Sequence, residues 1–146
     1  MTSKTKTLIL GLIMAGGVAF AQVKATDPDV IARQTLMDGN GAAIGLLAKM
    51  AKGEVAFDAA AAATAKATLV ANAAAVPAKW KVNASDPASK SKAEIWTKMD
   101  DFTAYAGKFG TAAAAIDVSS LDGVKAGLGA IGGACKDCHT EYKASS

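Results

Sequence analysis

Cys135-Lys136-Asp137-Cys138-His139 closes a run of apolar residues at Leu121, Val124, Leu128, Ile131, Cys135, Cys138 and Tyr142. The steps along that run are three, four, three, four, three and four, so all seven residues share one face of a helix. Two thiols three apart, followed at once by a histidine, form Cys-x-x-Cys-His, the attachment signature of a c-type haem. On a helix, positions i and i+3 share a face, which lets both sulfurs reach vinyl groups on a single porphyrin ring. His139, one residue further on, can turn its imidazole to the iron as proximal ligand. The haem cysteines thus continue the buried stripe of their own helix.

Other uses of the motif fit less well. A dithiol redox site usually opens a helix after a strand in a βαβ pattern, and no strand pattern precedes this one. A structural zinc needs four ligands, whereas the chain holds two cysteines and one histidine. A plain disulfide leaves the adjacent histidine unexplained.

Working back from the motif, three further helices are expected. Ser119 or Ser120 caps the last one, after a break at Asp117 to Ser120. Before it, Ile95, Trp96, Met99, Phe102, Tyr105, Ala106 and Phe109 fall at three- and four-residue steps within a helix expected from about Lys92 to Ile116. This aromatic stripe reads as ordinary core and, compatibly, as haem wall. Residues 82–91, with Asn83, Ser85, Asp86, Pro87 and Ser89, form the longest loop. The helix before that loop starts at Asp58 and runs, rich in alanine, to about Lys81, with Leu69, Val70, Val76 and Trp80 as its larger apolar residues. Pro77 should kink it or end it early. The alanines read as helix propensity or as a small-residue face for close packing.

The first helix opens with Asp27-Pro28-Asp29, a cap, a proline at the first helical position and an early carboxylate. Val30, Met37, Ile44 and Ala51 recur every seventh residue, Ile31, Leu47 and Ala48 widen that stripe, and Gly53 is the C-cap. Asp38-Gly39-Asn40-Gly41 interrupts the pattern, because Asn-Gly normally marks a turn. The seven-residue spacing runs through it, so one helix is retained, with Gly39 and Gly41 as points of close approach to haem or to another helix. Four antiparallel helices on short connections make an all-α, up-and-down four-helix bundle with covalently attached haem.

The N-terminus reads as a processing segment. Lys4 and Lys6 precede an uncharged apolar run from Thr7 to Ala19, and Ala19-Phe20-Ala21 is a small-x-small cleavage site. Residues 1–21 are therefore expected to be a signal peptide cleaved after Ala21, and 22–146 the cytochrome domain, exported to a periplasm. The run is shorter than the ~20 residues that span a bilayer, and no later stretch reads as both long and uncharged enough to cross one. Removing Lys4 and Lys6 takes 16 basic residues to 14 against 13 acidic, a formal +1. That balance lacks the basic footprint of nucleic-acid binding and leaves the charge of a redox partner open.

One histidine in the chain excludes bis-histidine ligation within a monomer. The sixth iron position is then open, filled by a small ligand, or held by a side chain such as Met37, Met50 or Met99. Methionine sulfur would favour the ferrous state and a six-coordinate electron-transfer haem.

The whole mature chain resembles the class II c-type cytochromes, the cytochrome c′ group. The likeness is carried by Arg33-Gln34-Thr35-Leu36-Met37, by Met50-Ala51-Lys52-Gly53-Glu54 through Phe57-Asp58, by Glu94-Ile95-Trp96 and by Gly132-Gly133-Ala134-Cys135-Lys136-Asp137-Cys138-His139. It implies a four-helix bundle with one haem c, and it implies that Met37 faces the distal side. In the six-coordinate, low-spin c-556-type branch a methionine there ligates the iron; some five-coordinate members place one there without bonding it. By the same resemblance, Arg33 and Gln34 lie near the haem edge and propionates. The family often has arginine four residues after the proximal histidine, where this chain has Lys143, which keeps the charge but loses the planar fork.

The expected function is a periplasmic mono-haem electron carrier, not an enzyme, with Cys135 and Cys138 holding the porphyrin, His139 below the iron and Met37 above. The alternative is a five-coordinate haem protein taking NO or CO, as such relatives do. Its partners would be redox proteins. Relatives often form dimers through the first two helices, and the small-residue faces here permit a homodimer.

Overall fold

A computed structural model describes residues 23–145. The signal-peptide reading and the Gln22 start lie outside the described residues. Asp27 accepts from the amides of Asp29 and Val30 and caps α1 (Pro28–Lys52), which Gly53 closes at φ 74°. Asp58 caps α2 (Ala59–Lys79) through the amides of Ala60 and Ala61. Pro77 lies in that helix, which ends two residues later, at Lys79.

The stretch expected as one helix from Lys92 to Ile116 is two, α3 (Glu94–Thr97) and α4 (Met99–Ala115), with Lys98 between them at φ −131°, ψ 43°. The segment before the break is tied elsewhere. The Lys92 amide donates to the Tyr142 carbonyl at 3.0 Å, and the Trp96 indole donates to the Trp80 carbonyl at 2.8 Å. Lys98 is where the chain turns from those anchors into the bundle. Ser120 then caps α5 (Leu121–Tyr142) through the Gly123 amide.

Helix α1 packs on α2 and α5, α2 on α4, and α4 on α5, closing a ring of four long helices around one interior. That interior has two parts. An aliphatic end holds Leu47, Leu69, Ala113, Ile116, Val124 and Ile131, all at most 1% exposed. An aromatic end holds Leu36, Val76, Trp80, Ile95, Phe102 and Tyr142.

Two expectations about the long helices need correction. The buried face of α1 runs through Val30, Arg33, Leu36, Asn40, Ala43, Leu47 and Met50, not through Met37, Ile44 and Ala51, which are half-buried; Ile31 is exposed. The stripe is turned by about one residue because two of its members, Arg33 and Asn40, are polar and do not register as core. Met37 is left on the edge of α1, towards α5. Contrary to the membrane expectation, α2 is long and apolar enough to cross a bilayer by length and composition. Much of that apolarity is alanine, and Ala62, Ala65 and Ala73 are buried at its contacts with α1 and α4. The small-residue face is used for close packing: a Cβ on Gly110 of α4 would come within 3.2 Å of the Ala73 Cβ.

Candidate functional site

A cleft of about 370 Å³ opens at the aromatic end of the bundle. Helix α1 gives it Arg33, Gln34 and Met37, and α5 gives it Cys138, His139 and Tyr142. Trp80, Ile95 and Phe102 form an apolar wall, and Ser89, Lys90 and Ser91 of the long loop close one side. The wall is braced by ring contacts. Phe102 meets Trp80 at 5.7 Å and Tyr142 at 5.3 Å between centroids, the second edge-on. The Trp80 indole donates to the Ser91 hydroxyl at 2.9 Å, and Tyr142 donates to the Asp101 carboxylate. The loop itself is held by Asp86, whose carboxylate accepts from the amides of Thr26, Asp27 and Ala88. Those three donors pull its pKa down from 3.8 to about 2.

The two thiols straddle the two ends of the interior. Cys135 packs against the aliphatic cluster and Cys138 against the aromatic one, each half-buried, and only Cys138 lines the cleft. Burial raises both pKa values, that of Cys138 to about 11 with further push from Cys135 and Asp101. Both are protonated at neutral pH, which is the opposite of a reactive redox dithiol. Among the described residues no cluster of three or more histidine, cysteine, aspartate or glutamate side chains could hold a metal ion. His139 is exposed by area, yet surrounding protein still lowers its pKa, and the nearby Lys143 charge adds to the effect. A neutral imidazole with a free lone pair at the cleft follows.

Arg33 is 2% exposed. Its Nε donates to the Lys79 carbonyl at 2.9 Å and its Nη2 donates to the Val82 carbonyl. The guanidinium lies 5.6 Å from the Trp80 ring and 5.3 Å from Trp96. Burial lowers its pKa against the opposing pull of Asp29 and Asp27. Its Nη1 is buried and has no hydrogen-bond partner among the described residues. An orphaned cationic donor beside an apolar cleft suits a flat apolar ligand that carries carboxylates. Gln34 is more exposed and donates to the Ala88 carbonyl at 3.2 Å.

The three methionines part company here. Met37 lines the cleft; Met50 is 2% exposed in the aliphatic core, and Met99 packs on the aromatic cluster without lining the cleft.

The family model for cytochrome c′ matches residues 29–143. The chain belongs to the cytochrome c′ family. It is 35% identical over 143 residues to the cytochrome c-556 of Agrobacterium fabrum, covering 95% of this chain and 92% of that one. It is 32% identical over 145 residues to the cytochrome c′ of Cereibacter sphaeroides, covering 94% and 97%. The solved structural model of oxidised R. palustris cytochrome c556 is similar at TM-score 0.72 and 26% identity, over 83% of this chain and 99% of that one. As in that family, the fold is a four-helix bundle and the cofactor is one haem c held covalently, with Cys135 and Cys138 as the chain's two cysteines.

A cytochrome of this group thus brings Met37, Arg33, Gln34, Cys138 and His139 to one cleft, with Cys135 one turn behind. Reasoning from sequence missed the loop wall of Ser89, Lys90 and Ser91, and it did not assign Asp38, Trp80 or Tyr142 to the site. Tyr142 had a signal, as the last member of the haem helix's own stripe. The loop had none, because loop residues carry no periodicity.

Proposed function

We propose that this cytochrome is an exported single-electron carrier in which Cys135 and Cys138 form the two thioethers, His139 is the proximal ligand and Met37 the distal one. One observation carries the reading: of Met37, Met50 and Met99, only Met37 shares the cleft with His139. Bound haem iron supplies the one-electron couple, ferric to ferrous. The chain's part is to hold that couple still. Cys135 and Cys138, on one helical face, would hold the ring, and His139 and Met37, on separate helices, would leave little to rearrange between oxidation states. Trp80, Ile95, Phe102 and Tyr142 line the cleft and would exclude water from a bound ring, and the unpartnered Nη1 of Arg33, with Gln34 nearby, would be a donor for its carboxylates. Lys143 lies on the proximal side, where its charge disfavours protonation of His139. In this reading residues 1–21 are the signal peptide, cleaved after Ala21, and the protein works in the periplasm with redox proteins as partners. His139 is committed to iron, and no second imidazole exists in the chain to cleave a peroxide bond. The protein is a carrier, not an enzyme.

The second reading is a five-coordinate protein that binds NO or CO. It is favoured by the 32% identity to a cytochrome c′, close to the 35% to a cytochrome c-556. Replacing Met37 with alanine and recording the ferric spectrum tests the first against the second. Loss of a low-spin spectrum supports methionine ligation. An unchanged low-spin spectrum removes Met37 as ligand, and a wild-type protein already high-spin supports the gas-binding reading.

A further inference from the structure

Asp38-Gly39-Asn40-Gly41 is the weakest turn of α1 by intrinsic propensity, with two glycines and two residues that compete for the backbone. It follows directly on Met37. Methionine is unbranched, with three rotatable bonds, so its sulfur stays in place only if the turn beneath it does.

Across the α1–α2 seam stands Asn72, the one amide side chain on an alanine-rich helix. Its Nδ2 donates to the Asn40 Oδ1 at 2.9 Å and to the Leu36 carbonyl at 3.3 Å. The orientation of both amides follows from chemistry. A carbonyl can only accept, so Asn72 must present nitrogen to Leu36, and Asn40 must then present oxygen to that nitrogen. The clamp therefore grips the carbonyl immediately before Met37 and the side chain three residues after it. Asn40 is 7% exposed, so the pair is shielded from competing water. Gly39 makes room for it, since a Cβ there would lie 3.3 Å from the Asn72 Nδ2.

We propose that Asn72 is a positioning residue for Met37, its amide clamping residues 36–40 so that the methionine covers the distal side of the haem; this rests on the placement of Met37 proposed above. Asparagine is a poor choice for a helix interior, and a purely structural role would make the pair a marker of α1–α2 register. The two roles differ in what they move.

The test uses the holoprotein and the rate of CO binding to the ferrous haem, which reads cover by Met37 whether or not its sulfur bonds the iron. Asn72→Leu is expected to bind CO on the order of tenfold faster than wild type, the effect of about one net hydrogen bond. Asn72→Ala, which restores helix propensity, is expected to do the same if the leucine variant folds poorly. Met37→Ala should be fast, and adding Asn72→Leu to it should change nothing further. A wild-type rate in both Asn72 variants beside a fast Met37→Ala overturns the proposal, even with a lowered melting temperature, and leaves only register. Equal acceleration by Asn72→Leu with and without Met37 overturns it as well. A wild-type rate in Met37→Ala itself shows that Met37 covers nothing. That result refutes the underlying placement and is visible without any Asn72 variant.

Discussion

The aliphatic and aromatic ends of the bundle are built on the same four long helices and solve different problems. At the aliphatic end, Leu47, Leu69, Ile116, Val124 and Ile131 fill the interior, and α2 comes close to its neighbours over alanines. At the aromatic end, Trp80, Phe102 and Tyr142 pack ring against ring and line the cleft. The polar groups follow the same division. Arg33 with its unpartnered Nη1, the indole donors and the long loop's anchors all lie at the aromatic end. Close packing there would remove the site; openness at the other end would only leave a cavity. The thiols at the border, one against each cluster, let a single helix serve both.

That division can be broken from either side. The largest effect is expected at Leu69, which is fully buried in the aliphatic core. Leu69→Ala should cost about 2–5 kcal/mol in a denaturant melt while leaving the haem spectrum unchanged. At the aromatic end, Arg33→Leu removes the donors to the Lys79 and Val82 carbonyls, at about 1–3 kcal/mol for each one left unpaired. Unlike Leu69→Ala, it should also shift the reduction potential, because a buried positive charge lining the cleft is lost.

Much of this was legible from residues alone. The caps at Asp27, Asp58 and Ser120, the closing Gly53 and the stripe of α5 are local chemistry, and each falls where its residue type requires. The face of α1 was misjudged by one position. Periodicity counts apolar residues, and Arg33 and Asn40 are buried for reasons it cannot see: an aromatic bracket for one, an amide partner 32 residues away for the other. Gly39 and Gly41 looked alike, yet only Gly39 faces a neighbour. The break at Lys98 is set by ties to Trp80 and Tyr142, contacts that no window of sequence contains.

Acid sharpens the comparison further, because the loop at the aromatic end hangs on Asp86. Its pKa is lowered on folding from 3.8 to about 2. The stability it contributes is therefore fully present above pH 3.8 and lost as pH falls towards 2. Asp86→Asn should flatten the pH dependence of the melt across that window and leave it unchanged at neutral pH and above apart from a constant offset. The smallest effect separates the two glycines. Gly41→Ala meets no atom within 4 Å and should stabilise by about 0.5–1 kcal/mol. Gly39→Ala should fall short of that gain, because the Asn72 amide has to give way.

The most direct measurement is near-infrared magnetic circular dichroism of the ferric wild-type holoprotein, which reports the axial ligand pair. The low-spin signature of histidine with methionine sulfur is expected in the wild type and is lost in Met37→Ala. A high-spin ferric signature in the wild type would contradict methionine ligation.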